Sequence, residues 1–163
     1  MYQFVEIAVL DEGCGIDKAM RKFDENASED ELLELAVLPG TSAKSNHDYL
    51  DSDNEWLNSG YGLYILKELC KSYKGIFTLC SNNYAIRYLS NGTSEKYKTK
   101  FNGTAVSLRF STKLNINFEK ERKRIVREGQ ELAKQNKNAI KKASKSSGGD
   151  YGKVKNAEWE FSG

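Results

Sequence analysis

The chain has 163 residues, with 25 Lys and Arg against 23 Asp and Glu, so its length fits one modest domain and its charge does not point to nucleic acid. No uninterrupted apolar run exceeds four residues, and Glu6, Asp11 and Glu12 lie where a signal peptide needs an uncharged core. We therefore expect neither a membrane span nor a secretory leader.

The cysteines and the histidine narrow the setting further. Cys14, Cys70 and Cys80 form no C-x-x-C pair, and such a sparse, odd set fits a reducing, cytoplasmic location better than a disulfide scaffold. His47 is the only histidine and has no cysteine near it in sequence, so zinc is not expected.

Charge is distributed unevenly along the chain. Residues 1–115 carry 13 basic and 16 acidic side chains, whereas residues 116–163 carry 12 basic and 7 acidic ones. The net charges are therefore −3 and +5, and this shift predicts a globular part over residues 1–115 followed by a basic appendage.

The first predicted element is a strand over residues 4–10. It is apolar at nearly every position and rich in β-branched residues, as is typical of a strand covered on at least one face. A carboxylate, Asp11, follows at once, and two glycines come directly after it.

Two helices are predicted next. Asp17 is placed to cap a short helix that runs to about residue 22. Ser28 and Glu31 form the pattern of a capping box ahead of a second helix, and Pro39 with Gly40 ends that helix. Residues 41–59 are then rich in Ser, Asn, Asp and Gly, which predicts a long loop of the kind that carries function.

A third helix is predicted after this loop. It begins at the sequence Gly60-Tyr61-Gly62 and has apolar residues at helical spacing, and Gly75 is the expected C-cap. Tyr61 and Tyr64 are interpreted as packing residues of the core or the loop rather than as chemical groups.

Three strands follow, over residues 76–80, 84–89 and 104–110. Asn82-Asn83 predicts a hairpin turn between the first two, and Asn91-Gly92 opens a more polar connection to the third. Because short turns rather than helical crossovers join them, these strands should be antiparallel. The predicted fold is α/β, more narrowly an α+β two-layer sandwich with a mixed, largely antiparallel sheet and helices on one face.

The sequence pattern predicts one basic helix over residues 116–145 and a flexible tail over residues 146–163. Phe118, Ile125, Leu132 and Ala139 recur every seven residues, but polar residues between them make the seam thin for a coiled coil. The helix carries 10 basic and 4 acidic residues over 116–145, a balance that is also ordinary for a solvated helix. We therefore favour a helix that is solvated, or that docks a protein partner or a second copy of the chain, over one that binds nucleic acid.

Three short glycine motifs carry the chemical prediction. Asp11-x-Gly13-x-Gly15-Ile16 follows the first strand, Gly60-x-Gly62-Leu63 begins a helix, and Gly103-Thr104 opens the last strand. A carboxylate at a buried strand end needs a donor such as the exocyclic amine of adenine. A glycine-rich helix start exposes backbone amides and the positive end of the helix dipole, which favours phosphate. Each motif alone also fits an ordinary turn.

Together, in this order and spacing, the motifs resemble the ATP-binding domain shared by DNA gyrase, the large heat-shock chaperone, sensor histidine kinases and MutL mismatch-repair proteins. This family is called GHKL, or the Bergerat fold. The match covers roughly residues 3–111, with Asp11, Gly60 and Thr104 among the matching positions. The resemblance implies a Bergerat-type sheet that is incomplete on its N-terminal side.

The resemblance also implies a role for each motif. Asp11 would accept the adenine amine with help from the Thr104 hydroxyl or a bound water, and Gly13 and Gly15 would let the backbone pass close to base and ribose. Ile16, the next residue of this motif, is counted among the ATP-binding residues. The amides around Gly60, Tyr61, Gly62 and Leu63 would hold the phosphates of ATP. Residues 41–59 would be the ATP lid, in which Lys44 is either a phosphate contact or a solvated lysine.

One feature of the family is not found at its usual place. The family holds Mg²⁺ through an Asn on an upstream helix, in a pattern like E-x-x-x-N-A. The superficially similar Asp24-Glu25-Asn26-Ala27 follows the Asp11 motif instead of preceding it. The magnesium ligand and any catalytic carboxylate are therefore expected upstream of this chain, and no metal ligand is assigned within it.

The predicted function is an ATP-binding domain that, when complete, hydrolyses ATP or transfers its γ-phosphoryl group as a histidine kinase-like ATPase does. The chain alone is expected to be inactive. The alternative is a non-catalytic module that binds nucleotide, or none, and acts through its basic helix.

Overall fold

The computed structural model describes residues 3–42, 59–136, 139–140, 142–144 and 147. These residues form five strands and four helices. In chain order the elements are β1 (Phe4–Asp11), α1 (Ile16–Met20), α2 (Glu29–Ala36), α3 (Gly62–Ser72), β2 (Ile76–Ser81), β3 (Tyr84–Leu89), β4 (Ser94–Lys98), β5 (Thr104–Ser111) and α4 (Phe118–Gln135).

The strands form one sheet in the order β1-β5-β2-β3-β4, and every pair is antiparallel. The α+β class and the antiparallel pairing of the three later strands are thereby confirmed. Strand β5 lies between β1 and β2, so its first residue, Thr104, is opposite Asp11 on one side and Ser81 on the other.

The helices cover the central strands of the sheet. Residues of α2 and α3 share one buried cluster with side chains of β2 and β3. Its fully buried members are Leu33, Val37, Cys70, Phe77, Leu79 and Ile86. Helix α4 packs on α3 rather than on the sheet, and it contributes Ile125, Val126 and Ala133 to a second cluster. Gly129 is required there because a Cβ would lie 2.5 Å from the ring of Tyr64.

Strand β1 is exposed along its whole length, so the prediction of a strand covered on at least one face is wrong for the described residues. Val5 and Ile7 are each 47% exposed and Val9 is 63% exposed. These three side chains lie beside Phe110, Leu108 and Val106 of β5. The apolar pattern correctly predicted a strand, but its place at the sheet edge, beyond the reach of α2 and α3, decides its exposure.

Strand β4 was not predicted from the sequence. All five of its residues are exposed, and its sequence Ser-Glu-Lys-Tyr-Lys has no apolar period. It pairs with β3 as the other edge of the sheet. Lysine-rich edges of this kind resist pairing with other chains, which accounts for the missing hydrophobic signal.

The helix ends follow local chemistry. At α2 the predicted capping box is confirmed, since the Ser28 amide donates to the Glu31 carboxylate at 2.7 Å. The end of α3 differs from the prediction, because Lys74 (φ 50°) rather than Gly75 takes the left-handed conformation. The Gly75 amide then donates to the Cys70 carbonyl at 2.8 Å. A side chain at Gly75 would overlap the Arg109 carbonyl of β5, so close packing is what requires this glycine.

No helix in the described part of the chain is both long and apolar enough to cross a membrane.

Candidate functional site

The first and third glycine motifs meet at one end of the sheet. Asp11, the last residue of β1, is directly opposite Thr104, the first residue of β5. Gly103 precedes Thr104 with φ 109°, and a side chain there would overlap the Asp11 carbonyl oxygen. The glycine of the Gly-Thr motif is therefore required by the close approach of the two strands.

The Asp11 carboxylate is exposed, which corrects the prediction that it ends a buried strand. Its Oδ1 atom accepts a hydrogen bond from the Gly13 amide at 2.7 Å. This bond fixes the carboxylate over the turn and leaves Oδ2 without a partner among the described residues. Asp11 is thus an oriented acceptor, and it needs no ligand to compensate for burial.

A polar cluster that the sequence did not reveal fixes the Asp11 turn to β2. Asp17 is only 5% exposed and accepts hydrogen bonds from the Ser81 hydroxyl at 3.0 Å and the Asn82 amide at 2.6 Å. Ser81 in turn accepts from the Ile16 amide at 2.8 Å. The prediction that Asp17 caps a helix is wrong, because Gly15 is the N-cap of α1 and Asp17 is a buried residue of its first turn.

Asn82 connects the first motif to the third. Its side-chain amide also donates to the Cys14 carbonyl at 3.1 Å, and its side-chain oxygen accepts from the Gly103 amide at 3.2 Å. Asn82 has φ 49°, a conformation that Asn tolerates better than most residues. Gly15, with φ 87°, lies so close to Asn82 and Ser81 that no side chain fits there.

The second motif forms the start of α3. Tyr61 is its N-cap, and the Tyr61 carbonyl accepts the first helical hydrogen bond from the Ile65 amide at 2.9 Å. The amides of Gly62, Leu63 and Tyr64 precede that bond, and Tyr61 offers them no side-chain cap. A Cβ at Gly62 would meet no described atom within 4 Å.

The motifs at the two ends of the site share one hydrophobic support. Ile16 of the first motif and Leu63 of the second both pack against the buried cluster of Met20, Ala27, Leu32 and Ala36. Gly60 (φ 71°) lies against the Thr41 backbone, so the first residue of the segment 41–59 is close to the residue that follows its end. Lys44, His47 and residues 43–58 lie outside the described residues.

The packing roles predicted for two tyrosines are confirmed. Tyr61 is fully buried and Tyr64 is 4% exposed. Burial, the main cause of the shift, raises the pKa of the Tyr64 hydroxyl to about 12. Both side chains belong to the cluster in which α3 meets α4.

Two grooves lined by described residues lie away from the three glycine motifs. A groove of about 540 Å³ follows the first turns of α4 and is lined by both acidic and basic side chains. An apolar groove of about 410 Å³ lies between α3, the end of β5 and Phe118, with Val5 of β1 at its border. In the part of the chain that the structure describes, no group of three or more His, Cys, Asp or Glu residues could hold a metal ion.

The chain was compared with protein-family models, with curated proteins and with solved structures, and it matches none of them.

Proposed function

We propose that this chain contributes an adenine-nucleotide site of the GHKL type, in a domain that hydrolyses ATP or transfers its γ-phosphoryl group when complete. The proposal rests on the resemblance of the three motifs together with their arrangement in the fold. Two of them face each other across adjacent strands, and the third shares a hydrophobic cluster with the first.

The adenine end of the proposed site is the junction of β1 and β5. Asp11 Oδ2 is an available acceptor for the exocyclic amine, because the Gly13 amide occupies only Oδ1. Thr104, opposite Asp11 in register, supplies a hydroxyl to the same region. The cluster of Asp17, Ser81 and Asn82 stiffens the turn before any ligand binds, which reduces the entropy lost on binding.

The phosphate end is the start of α3, and Gly62 is the observation that carries the proposal. No described atom of the protein requires a glycine at this position, although a glycine in the first turn of a helix lowers its stability. A phosphate held by the uncapped amides of Gly62, Leu63 and Tyr64 would occupy that open space and would benefit from the helix dipole.

We assign the nucleotide, but no Mg²⁺ ligand, to the described residues. Among them no group of three or more His, Cys, Asp or Glu side chains could hold a metal ion. Bound magnesium would neutralise phosphate charge during phosphoryl transfer. The role proposed for this chain is to bind and orient the nucleotide.

Nucleotide binding is tested by thermal and chemical unfolding of the full chain with ATP, ADP or GTP. Adenine nucleotide at 100 times its Kd should add about 2.7 kcal/mol to the free energy of unfolding. Asp11→Ala should abolish this gain, whereas Glu12→Ala, a change at an exposed neighbour, should retain it. Absence of stabilisation by ATP and ADP, or equal stabilisation by GTP, contradicts the proposed site.

The second candidate is an interaction module that acts through α4. Phe118 is 56% exposed and Leu132 is 49% exposed, although Ile125 on the same heptad line is buried. Arg124 is paired with Glu121 and Glu128, and Lys123 with Glu119, so much of the positive charge is neutralised within the helix. This pairing favours a protein partner over nucleic acid. Salt-sensitive retention on DNA that disappears when residues 116–163 are deleted would reverse that preference.

A further inference from the structure

The helix predicted over residues 116–145 ends at Gln135, and described residues beyond it pack at the start of α3. The described residues Ala139, Ile140 and 142–144, here called the strap, lie between the end of α4 and the second glycine motif. Ala139 is 2% exposed and belongs to the cluster that contains Tyr61 and Tyr64. The strap is therefore part of the packed core beside the proposed phosphate site.

Four hydrogen bonds among the described residues connect the strap to the two ends of residues 41–59, and one of them runs from the Ser59 hydroxyl to the Ser144 hydroxyl at 3.1 Å. The Ile140 amide donates to the Gly40 carbonyl at 2.8 Å. The Tyr61 hydroxyl donates to the Ile140 carbonyl at 3.0 Å, and the Ser144 amide donates to the Ser59 hydroxyl oxygen at 2.9 Å. Ile140 is thus bonded to one side of this segment through its amide and to the other through its carbonyl.

These bonds are buried and sterically constrained. Tyr61 and Ser59 are each 0% exposed, and Ser144 is 2% exposed. A side chain at Gly40, which has φ 76°, would overlap the Ile140 carbonyl. Buried polar groups that lose their partners destabilise the fold, so the strap and the residues beneath it should form or open together.

Tyr61 transmits this arrangement to the helix start. Its carbonyl begins the hydrogen-bond ladder of α3, while its hydroxyl is held by the strap. The orientation of the uncapped amides of Gly62 to Tyr64 therefore depends on a residue bonded to Ile140, 79 positions later in the chain.

We propose that the strap is a positioning element for the phosphate-binding turn, so that phosphate binding at the amides of Gly62, Leu63 and Tyr64 and docking of the strap stabilise each other. The inference rests on the proposed function. Coupling between two sites is reciprocal. Bound nucleotide should therefore stabilise the docked strap by the same factor by which the docked strap raises the affinity for nucleotide. A partner that holds α4 and displaces the strap would then weaken nucleotide binding.

Tyr61→Phe in the full chain tests the proposal, because it removes only the hydroxyl. Tyr73→Phe is the matched control, since its hydroxyl donates to the Ile116 carbonyl at 3.4 Å at the opposite end of α3. Hydrogen exchange without nucleotide should accelerate roughly tenfold at the Ile65, Ile140 and Ser144 amides in Tyr61→Phe, and it should not change there in the control. Unchanged exchange at these amides would overturn the proposal that the strap positions the start of α3 through the Tyr61 hydroxyl.

The second measurement is the ratio of ATP affinity to adenosine affinity, obtained by calorimetry. This ratio isolates the contribution of the phosphates, and we expect it to fall roughly tenfold in Tyr61→Phe and to be unaffected in Tyr73→Phe. A retained ratio, despite faster exchange, shows a purely structural strap and overturns the positioning role. Wild-type chain that binds neither compound overturns the proposed function, and the exchange measurement then separately decides whether the strap and the helix start open together.

Discussion

The glycines at the two ends of the proposed site differ in what requires them. At Gly103 the protein's own backbone leaves no room for a side chain, and φ is 109°. At Gly62 the φ angle is ordinary and a Cβ would meet no described atom within 4 Å. Glycine at the sheet end is therefore explained by close packing of the backbone, whereas no described residue explains the glycine at the helix start.

The largest predicted effect is Gly103→Ala. The new methyl group would overlap the Asp11 carbonyl, and alanine at this φ angle is strained, so we expect a loss of about 3 kcal/mol in the free energy of unfolding. Urea denaturation measures the loss. Gly92→Ala is the control, because φ is 88° but the nearest atom is Lys71 Nζ at 3.9 Å. Its loss should be about 1 kcal/mol, and equal losses would contradict the role assigned to close packing.

Ser81→Ala should have the next largest effect. The Ser81 hydroxyl is fully buried and connects the Ile16 amide to the Asp17 carboxylate, so its removal leaves both without this partner. We expect a loss of about 2 kcal/mol by urea denaturation. Ser107→Ala removes an exposed hydroxyl bonded to Glu6 and should cost about 0.5 kcal/mol or less. A similar loss in both variants would mean that the buried cluster does not fix the Asp11 turn.

Gly62→Ala should leave the free energy of unfolding unchanged or raise it by up to about 1 kcal/mol, because alanine favours the helix and no described atom obstructs it. The same variant should bind ATP more weakly, which separates the ligand requirement from stability. Gly75→Ala, at the other end of α3, should instead destabilise the fold because its side chain would overlap the Arg109 carbonyl. A destabilised Gly62→Ala protein would contradict the contrast between the two ends of the site.

The smallest predicted effect is on acid stability, away from both glycine regions. Hydrogen bonds from Arg124, then from Ser72, lower the pKa of Glu121 from 4.5 to about 2. Because the folded pKa lies below the unfolded value, this contribution is present above pH 4.5 and is lost as the pH falls toward 2. Glu121→Gln should therefore lose less stability than wild type between pH 5 and pH 2, by about 1 kcal/mol or less. Equal acid sensitivity in the two proteins would contradict this assignment.

Much of the local structure could be predicted from the sequence. The capping box at Ser28, helix α3 and the strands at 76–81, 84–89 and 104–111 all have strong local signals. Strand β4 could not be predicted because an exposed, charged edge strand has no hydrophobic period. The exposure of β1 could not be predicted either, because it depends on which strands the helices reach.

The candidate site also has features that the sequence determines and features that only the tertiary structure decides. The sequence by itself determined which residues can turn, cap and approach closely, since the glycines and Asp11 carry those properties wherever they lie. Only the tertiary structure brought Asn82 to Cys14, 68 positions away, and the strap to Tyr61. Contacts between distant residues depend on strand order and helix packing, and no short sequence pattern records them.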